Sequence, residues 1–238
     1  MAEETPQDRT PSEAARQGIK GGAHEHTHGP TEPRVLIFYD YACPFCYVDQ
    51  HRFDKLRQEI PEVPVLLVPF ELRPDMPEEG YQMSELEVIG SSDKVEEHLK
   101  RIAEREGFPL QIPPFVPKTH KALVIGEMGR DRGEPAHWAI HHALFEAYFG
   151  RGEDIGKEDV LLSVAEAEGY DSAEVRAAWE EGTYDERLHQ FLHVGLHLGI
   201  DATPAALICN ELYIGSRPYG VFKEALEQCL KESAAHKE

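Results

Sequence analysis

The sequence predicts an α/β fold in which a strand–helix–strand unit and a strand–strand–helix unit are separated by a long helical block. Three observations carry this prediction. Two short runs rich in β-branched and aromatic residues, "RVLIFYDYA" from residue 34 and "VPVLLVPFEL" from residue 63, flank an amphipathic segment. Two more apolar runs, "AALICN" and "ELYIG", lie near the end and precede a second amphipathic segment. Between about residues 84 and 198, apolar positions recur at helical spacing over a stretch too long for a loop.

In chain order, residues 1–33 are polar, rich in Gly, Pro and charge, and without periodicity, which is the composition of a disordered tail. Within it, His24, His26 and His28 alternate in "HEHTH", a weak chelator or simply a solvated segment, since no rigid element holds the rings. The first strand is short and bounded by Pro33 and two cysteines. "PFCYVDQHRFDKLRQEI" then reads as a helix with Phe45, Val48, Phe53, Leu56 and Ile60 near one side, stopped by Pro61. The second strand is apolar throughout, as in a sheet covered on both faces. "RPDMPEEG" is a loop.

The central block divides into helices at 84–89, 92–107, 117–132, 134–150, 157–168, 171–181 and 183–198. Gly107 and Gly169 stand where helices stop, and Asp171 with Glu174 has the form of a capping box. A tight hairpin at Asn210–Glu211 joins the last two strands, and "RPYGVFKEALEQCLKES" closes the chain as a helix with Pro218 near its start. The expected organisation is a tail at 1–33, a discontinuous α/β domain at 34–83 and 199–238, and a helical insertion at 84–198.

Composition narrows the function. Of 238 residues, 44 are acidic and 24 basic, for a net charge of −20. Such a surface repels phosphate backbones, so nucleic acid is not an expected partner. No run of eighteen apolar residues offers a membrane span. The N-terminus lacks the basic start and apolar stretch of a secretory signal, so the expected location is the cytoplasm, where disulfides are mostly transient and catalytic.

The chemistry concentrates at Cys43-Pro44-Phe45-Cys46, where the first strand meets the first helix. A zinc site needs four ligands, usually from two close pairs, and the other cysteines, Cys209 and Cys229, are not a paired knuckle, so no metal is expected. Burial alone would not place two thiols at a strand exit. A redox pair does explain the placement. The helix start aims its free N–H groups and positive dipole end at Cys43, which stabilises a thiolate. Pro44 fits the first turn, where its missing N–H costs nothing. Cys46, nearly one turn on, can resolve a mixed disulfide.

The segments "FYDYACPFCY", "VPFELRPDMPEEG", "HHALFEAYFGRGEDI" and "GIDATPAALI", in this order over about residues 34 to 230, resemble the DsbA-like thioredoxin-fold family, in particular its FrnE-like branch. The resemblance implies a thioredoxin fold interrupted by a large all-helical insertion. It implies a thiol–disulfide oxidoreductase or isomerase acting on protein disulfides, with a cellular thiol reductant or oxidant as partner. No bound cofactor is implied, although glutathione could serve as a redox partner. It also gives Pro204 the position of the family's cis-proline, with the backbone of Thr203 pairing with a substrate chain beside the reactive sulfur. Pro44 and Phe45 would border the same substrate groove.

Two other readings stay in view. Glutathione-dependent isomerases and kappa-class glutathione transferases resemble this chain in fold but carry a serine where it has Cys43. A redox-inert binding protein or chaperone could use the groove between the two parts. Among the remaining residues, Asp40 either relays a proton or caps the turn before Cys43, and capping is favoured. His141 and His142 are expected in packing or at the surface near the groove. Cys209 is expected on a buried strand and Cys229 on the last helix, as inert core thiols, with a second disulfide open only if their Cα atoms come within about 7 Å. Phe45 cannot donate a hydrogen bond to sulfur, which predicts a less oxidising couple than a polar dipeptide would give.

Overall fold

The structure, a computed structural model, describes residues 32–83 and 92–235. The tail histidines and the helix expected at 84–89 lie outside these residues. In chain order the elements are β1 (Val35–Tyr39), α1 (Pro44–Glu59), β2 (Val65–Pro69), β3 (Tyr81–Gln82), α2 (Ser92–Glu106), β4 (Phe115–Val116), α3 (His120–Asp131) and α4 (Glu134–Phe145). These are followed by α5 (Glu158–Ala167), α6 (Ser172–Glu180), α7 (Asp185–His197), β5 (Ala205–Ile208), β6 (Glu211–Ile214) and α8 (Tyr219–Ala235). Among the described residues, no helix is long and apolar enough to cross a membrane.

Four strands form one sheet in the order β2-β1-β5-β6. β1 pairs parallel with β2, which the crossover through α1 requires, and antiparallel with β5. Alternation along β1 divides the core. Val35, Ile37 and Tyr39 face α1 and α8, where Phe53 and Phe222 stack 4.7 Å apart, while Phe38 with Val68 and Phe70 faces Phe191 and Leu192 of α7. The apolar cluster on the first face runs without a break into Leu123, Trp138, Phe145 and Leu161 of α3, α4 and α5, so the helical block and the sheet share one core. β2 is not covered throughout as its composition suggests: Leu66 is 40% exposed, because α7 reaches only the far end of that face.

α3 and α4 cross tightly at Gly129. A Cβ built there would lie 2.5 Å from the Ile140 side chain and 3.1 Å from the His137 Cα, so the crossing needs glycine. α4 ends in one π-helical turn, Glu146–Gly150, where the sequence pattern indicated a single continuous helix. The capping box at α6 is half formed. Asp171 accepts from the amides of Ala173 and Glu174, but Glu174 turns outward to Arg132. β3 and β4 make a two-residue antiparallel pair that no alternation announced.

Two links fasten α1 and α8 to their surroundings. Arg52, 5% exposed, spends its guanidinium on Asp49, both oxygens of Glu106, the Ser216 hydroxyl and the Arg217 carbonyl, at 2.7–3.0 Å. It thereby joins α1 to α2 and to the β6–α8 connection. The second link corrects the expectation of two inert thiols. Cys209 and Cys229 form a disulfide, with Cα atoms 6.5 Å apart. Cys209 is not on the strand. Ile208 pairs with Glu211, so Cys209 and Asn210 make the hairpin turn, one residue earlier than expected, and Cys209 adopts φ +54°. That turn carries the sulfur toward the C-terminal half of α8.

Candidate active site

Cys43 is the N-cap of α1, with extended backbone (φ −92°, ψ 112°), and Pro44 occupies the first turn. The Cys43 amide donates to the Asp40 carbonyl at 3.0 Å and closes the turn out of β1, while the Cys46 and Tyr47 amides return to the Cys43 carbonyl at 3.0 and 3.3 Å. The helix therefore starts at the first cysteine, and both sulfurs lie at its N-terminal end, unbonded to each other. Cys43 is 6% and Cys46 3% exposed, so the second thiol is the more deeply placed. Phe45 is half-buried between them and packs on Val48 and its neighbours.

The antiparallel pairing of Phe38 with Ala205 brings the residues before β5 to the mouth of this turn. The Thr203–Pro204 peptide is cis, and the Thr203 carbonyl accepts from the Cys43 thiol at 3.2 Å across 160 residues of sequence. The four residues Cys43, Cys46, Thr203 and Pro204 thus meet. Burial pushes the Cys43 thiol up, but hydrogen bonding by the Cys46 thiol, the Thr203 side chain and the Cys46 amide outweighs it and lowers its pKa, against the opposing charge of Asp40. Burial raises Cys46 as well, there well above the ordinary thiol range, and the Cys43 sulfur adds to the effect. The pair is split in the sense a nucleophile and a protonated resolving thiol require.

Asp40 caps the turn. It is 2% exposed. Its Oδ1 accepts from the Ala42 amide at 2.9 Å and its Oδ2 from the Leu72 amide at 2.7 Å. The second contact ties the dithiol turn to the chain leaving β2. Burial raises its pKa, partly offset by those two amides and by Thr119, with the Glu71 carboxylate raising it further.

A second group of residues, spread widely in sequence, stands behind Asp40. His120, at the start of α3, places Nδ1 2.9 Å from Glu71 Oε2 and Nε2 3.1 Å from Asp185 Oδ1 at the start of α7. Glu71 is 8% exposed, and its other oxygen is buried without a partner. A signal was present in the sequence: an acid directly after an apolar strand, in "VPFEL", demands a partner. The partner's identity is a tertiary fact. His141 is packed, as expected, 4.4 Å from the Tyr39 ring and against Tyr41, Trp138 and Phe145. His142 bonds Asp54 of α1 at 3.0 Å. Among the described residues, no cluster of three or more His, Cys, Asp or Glu is arranged to hold a metal ion.

The sequence profile of the DSBA-like thioredoxin domain matches residues 34–227. The uncharacterized protein YwbO of Bacillus subtilis is 26% identical over 202 residues, which are 83% of this chain and 98% of that one. The crystal structure of a probable DsbA oxidoreductase, SCO1869 from Streptomyces coelicolor, superposes with a TM-score of 0.76 at 25% identity, covering 84% of this chain and 91% of that one. A 2-hydroxychromene-2-carboxylate isomerase superposes with a TM-score of 0.71 at 19% identity, covering 85% and 98%, a likeness of fold alone.

Proposed function

We propose that this chain, which belongs to the DSBA-like thioredoxin domain family and is a thiol–disulfide oxidoreductase, acts on protein disulfides with Cys43 as nucleophile and Cys46 as resolving thiol. The observation that carries the reading is geometric: two free thiols share one helix start, Cys43 as its N-cap and Cys46 the more deeply buried, and Cys43 faces the Thr203 carbonyl at the cis Thr203–Pro204 peptide. In the reductive direction, the Cys43 thiolate attacks one sulfur of a substrate disulfide. That bond breaks, a mixed disulfide forms, and one substrate thiolate leaves. Cys46 then gives up its proton and attacks Cys43. The Cys43–Cys46 disulfide forms as the second substrate thiolate departs, and a cellular thiol, glutathione among the candidates, restores the dithiol. Oxidation of a substrate runs the same steps backward. The Thr203 carbonyl and Pro204 border the place where an extended substrate strand would lie, as strand-addition recognition requires, with Pro44 and Phe45 on the other side.

This reading includes the FrnE-like branch, cytoplasmic residence, and a helical insertion at 84–198 within the thioredoxin fold. The rival, a glutathione-dependent isomerase, draws on the likeness to the 2-hydroxychromene-2-carboxylate isomerase. Two cysteines at the deciding turn favour electron exchange over addition chemistry.

Trapping tests the reading. Cys46→Ser keeps the nucleophile and removes the thiol that cleaves the mixed disulfide. It should accumulate reductant-sensitive complexes with proteins, while Cys43→Ser traps none and reduces no insulin. Equal trapping by both variants would show the roles to be misassigned. A Cys46→Ser protein that forms only a glutathione adduct would favour the isomerase.

A further inference from the structure

We infer that His120 is a positioning residue for the dithiol: by bridging Glu71 and Asp185 it fixes the Asp40–Leu72 contact that shapes the Cys43 turn and balances the carboxylate charge behind Cys43. The inference rests on the functional reading above and adds a residue to it that touches neither sulfur.

Geometry comes first. Three segments meet at one imidazole: the chain leaving β2 through Glu71, the first residue of α3, and the first residue of α7 through Asp185. Glu71 immediately precedes Leu72, whose amide holds Asp40 Oδ2 at 2.7 Å. Thr119, next to His120, acts on Asp40 directly. Asp40 in turn holds the Ala42 amide through its side chain and the Cys43 amide through its carbonyl. A shift of His120 therefore reaches the Cys43 backbone along Glu71–Leu72–Asp40.

Charge comes second. Asp40 and Glu71 are two buried carboxylates; the Glu71 charge opposes the ionisation of Asp40, and Asp40 opposes the ionisation of Cys43. His120 has the only imidazole bonded to this group among the described residues. Its neighbours from each packed element are Glu71 beyond β2, Asp185 of α7, and Glu78 in the loop after β2. Lys118 pairs with Glu78, while Lys121 lies near both Glu78 and Glu158. Facing mostly acids, His120 has its pKa raised above the ordinary imidazole value, chiefly by the hydrogen bond to Glu71 and against the effect of burial. When protonated it offsets the charge of Glu71, which is buried and has no other cationic partner among the described residues.

The two sides of this contact should act on Cys43 with opposite signs. His120→Gln removes a positive charge and exposes the dithiol to Glu71. Glu71→Gln removes a negative charge from the same contact. The readout is the pH profile of Cys43 alkylation by iodoacetamide in the full-length reduced protein, from about pH 4.5 to 8. In His120→Gln the midpoint should rise by about 0.5–1 unit, making alkylation about three- to tenfold slower at about pH 5.5. In Glu71→Gln it should fall, with faster alkylation at the same pH. Asp185→Asn, which leaves the His120–Glu71 bond in place, should shift it downward by less. A merely structural role would slow or speed all three together. Shifts of one sign in folded His120→Gln and Glu71→Gln, or an unmoved profile, would overturn the inference. If Glu71→Gln does not fold, Asp185→Asn decides against His120→Gln by the same sign rule. A wild-type Cys43 that shows no lowered midpoint would instead sink the functional reading itself, before the variants are compared.

Discussion

Replacing both Cys209 and Cys229 with serine should cost the fold about 3 kcal/mol. The two sulfurs are 20 residues apart in sequence, and closing a loop of that length removes about 3 kcal/mol of entropy from the unfolded chain. The native side of the balance explains why the loss should be felt. α8 has only Phe222 and Leu226 fully buried, both in its first half, and beyond them Leu230 is half-buried. The Lys223–Glu59 ion pair, which links α8 to the end of α1, is more than one-third exposed on both sides and therefore screened by solvent. The disulfide at Cys229 is therefore the main tether of the second half of the helix. For a chain of this size, about 3 kcal/mol lowers Tm by about 6–12 °C. The measurement is a thermal melt in a Cys43→Ala/Cys46→Ala background, with and without dithiothreitol, so that reductant can act on no other sulfurs. Reductant should lower Tm by the same amount as the double serine substitution, and should then have no further effect on the serine variant. A thiol count in denaturant should give none before reduction and two after. Two free thiols in the untreated, air-exposed protein, or a Tm moved by less than about 2 °C, would refute the reasoning. In acid-quenched cells the same thiol count bears on location: a fully oxidised pair would speak for an oxidising compartment and against the proposed cytoplasmic one.

Further outcomes follow from other contacts. Arg52→Met strands Asp49, 1% exposed, without its cation, and should cost about 3–5 kcal/mol in urea melts, whereas Asp49→Leu/Arg52→Met/Glu106→Gln together should recover most of the loss. Gly129→Val drives a side chain into Ile140 and the α4 backbone, and should destabilise by about 1–3 kcal/mol with the dithiol chemistry of the folded fraction unchanged. Burial pushes His137 down to about 3 and His141 well below its ordinary value. The unfolded chain then binds more protons than the native one below about pH 6.5, so stability falls on acidification by up to about 1.4 kcal/mol per pH unit for each ring. His141→Phe should reduce that slope between about pH 6.5 and 5, and an unchanged slope would mean that His141 is not held neutral.

The elements that could be read from sequence are those with several turns or a dense alternation. α1, α2 and the helices from α3 to α8 each repeat their apolar positions often enough to reveal the period, and the strands of the main sheet are dense enough to be seen as runs. β3 and β4, at two residues each, carry no period at all. The hairpin turn was displaced by one residue because Glu211 looks like a turn residue, although it pairs with Ile208 at the sheet edge. The dithiol was legible because its function depends on local order: two sulfurs one helical turn apart, at a strand exit. Cys209–Cys229 was not, since two thiols on separate elements acquire a distance only when those elements pack. The same holds for Glu71, His120 and Asp185, separated by 49 and 65 residues, each unremarkable beside its own neighbours.

The contact between Cys43 and the Thr203 carbonyl has a kinetic meaning. Its two halves are 160 residues apart, with the whole helical block between them in sequence, so β5 must find β1 across that block. Contacts of such long range form late, because the loop-closure entropy is lost before the contact can compensate for it. While the chain is folding, the helix start and both cysteines exist, but the carbonyl and the cis-proline that face them do not. A chain in that state has a CxxC without its docking strand, open to random exchange with any disulfide. Selective reactivity at Cys43 is thus a property of the finished topology, and its appearance after dilution from denaturant would time the arrival of β5.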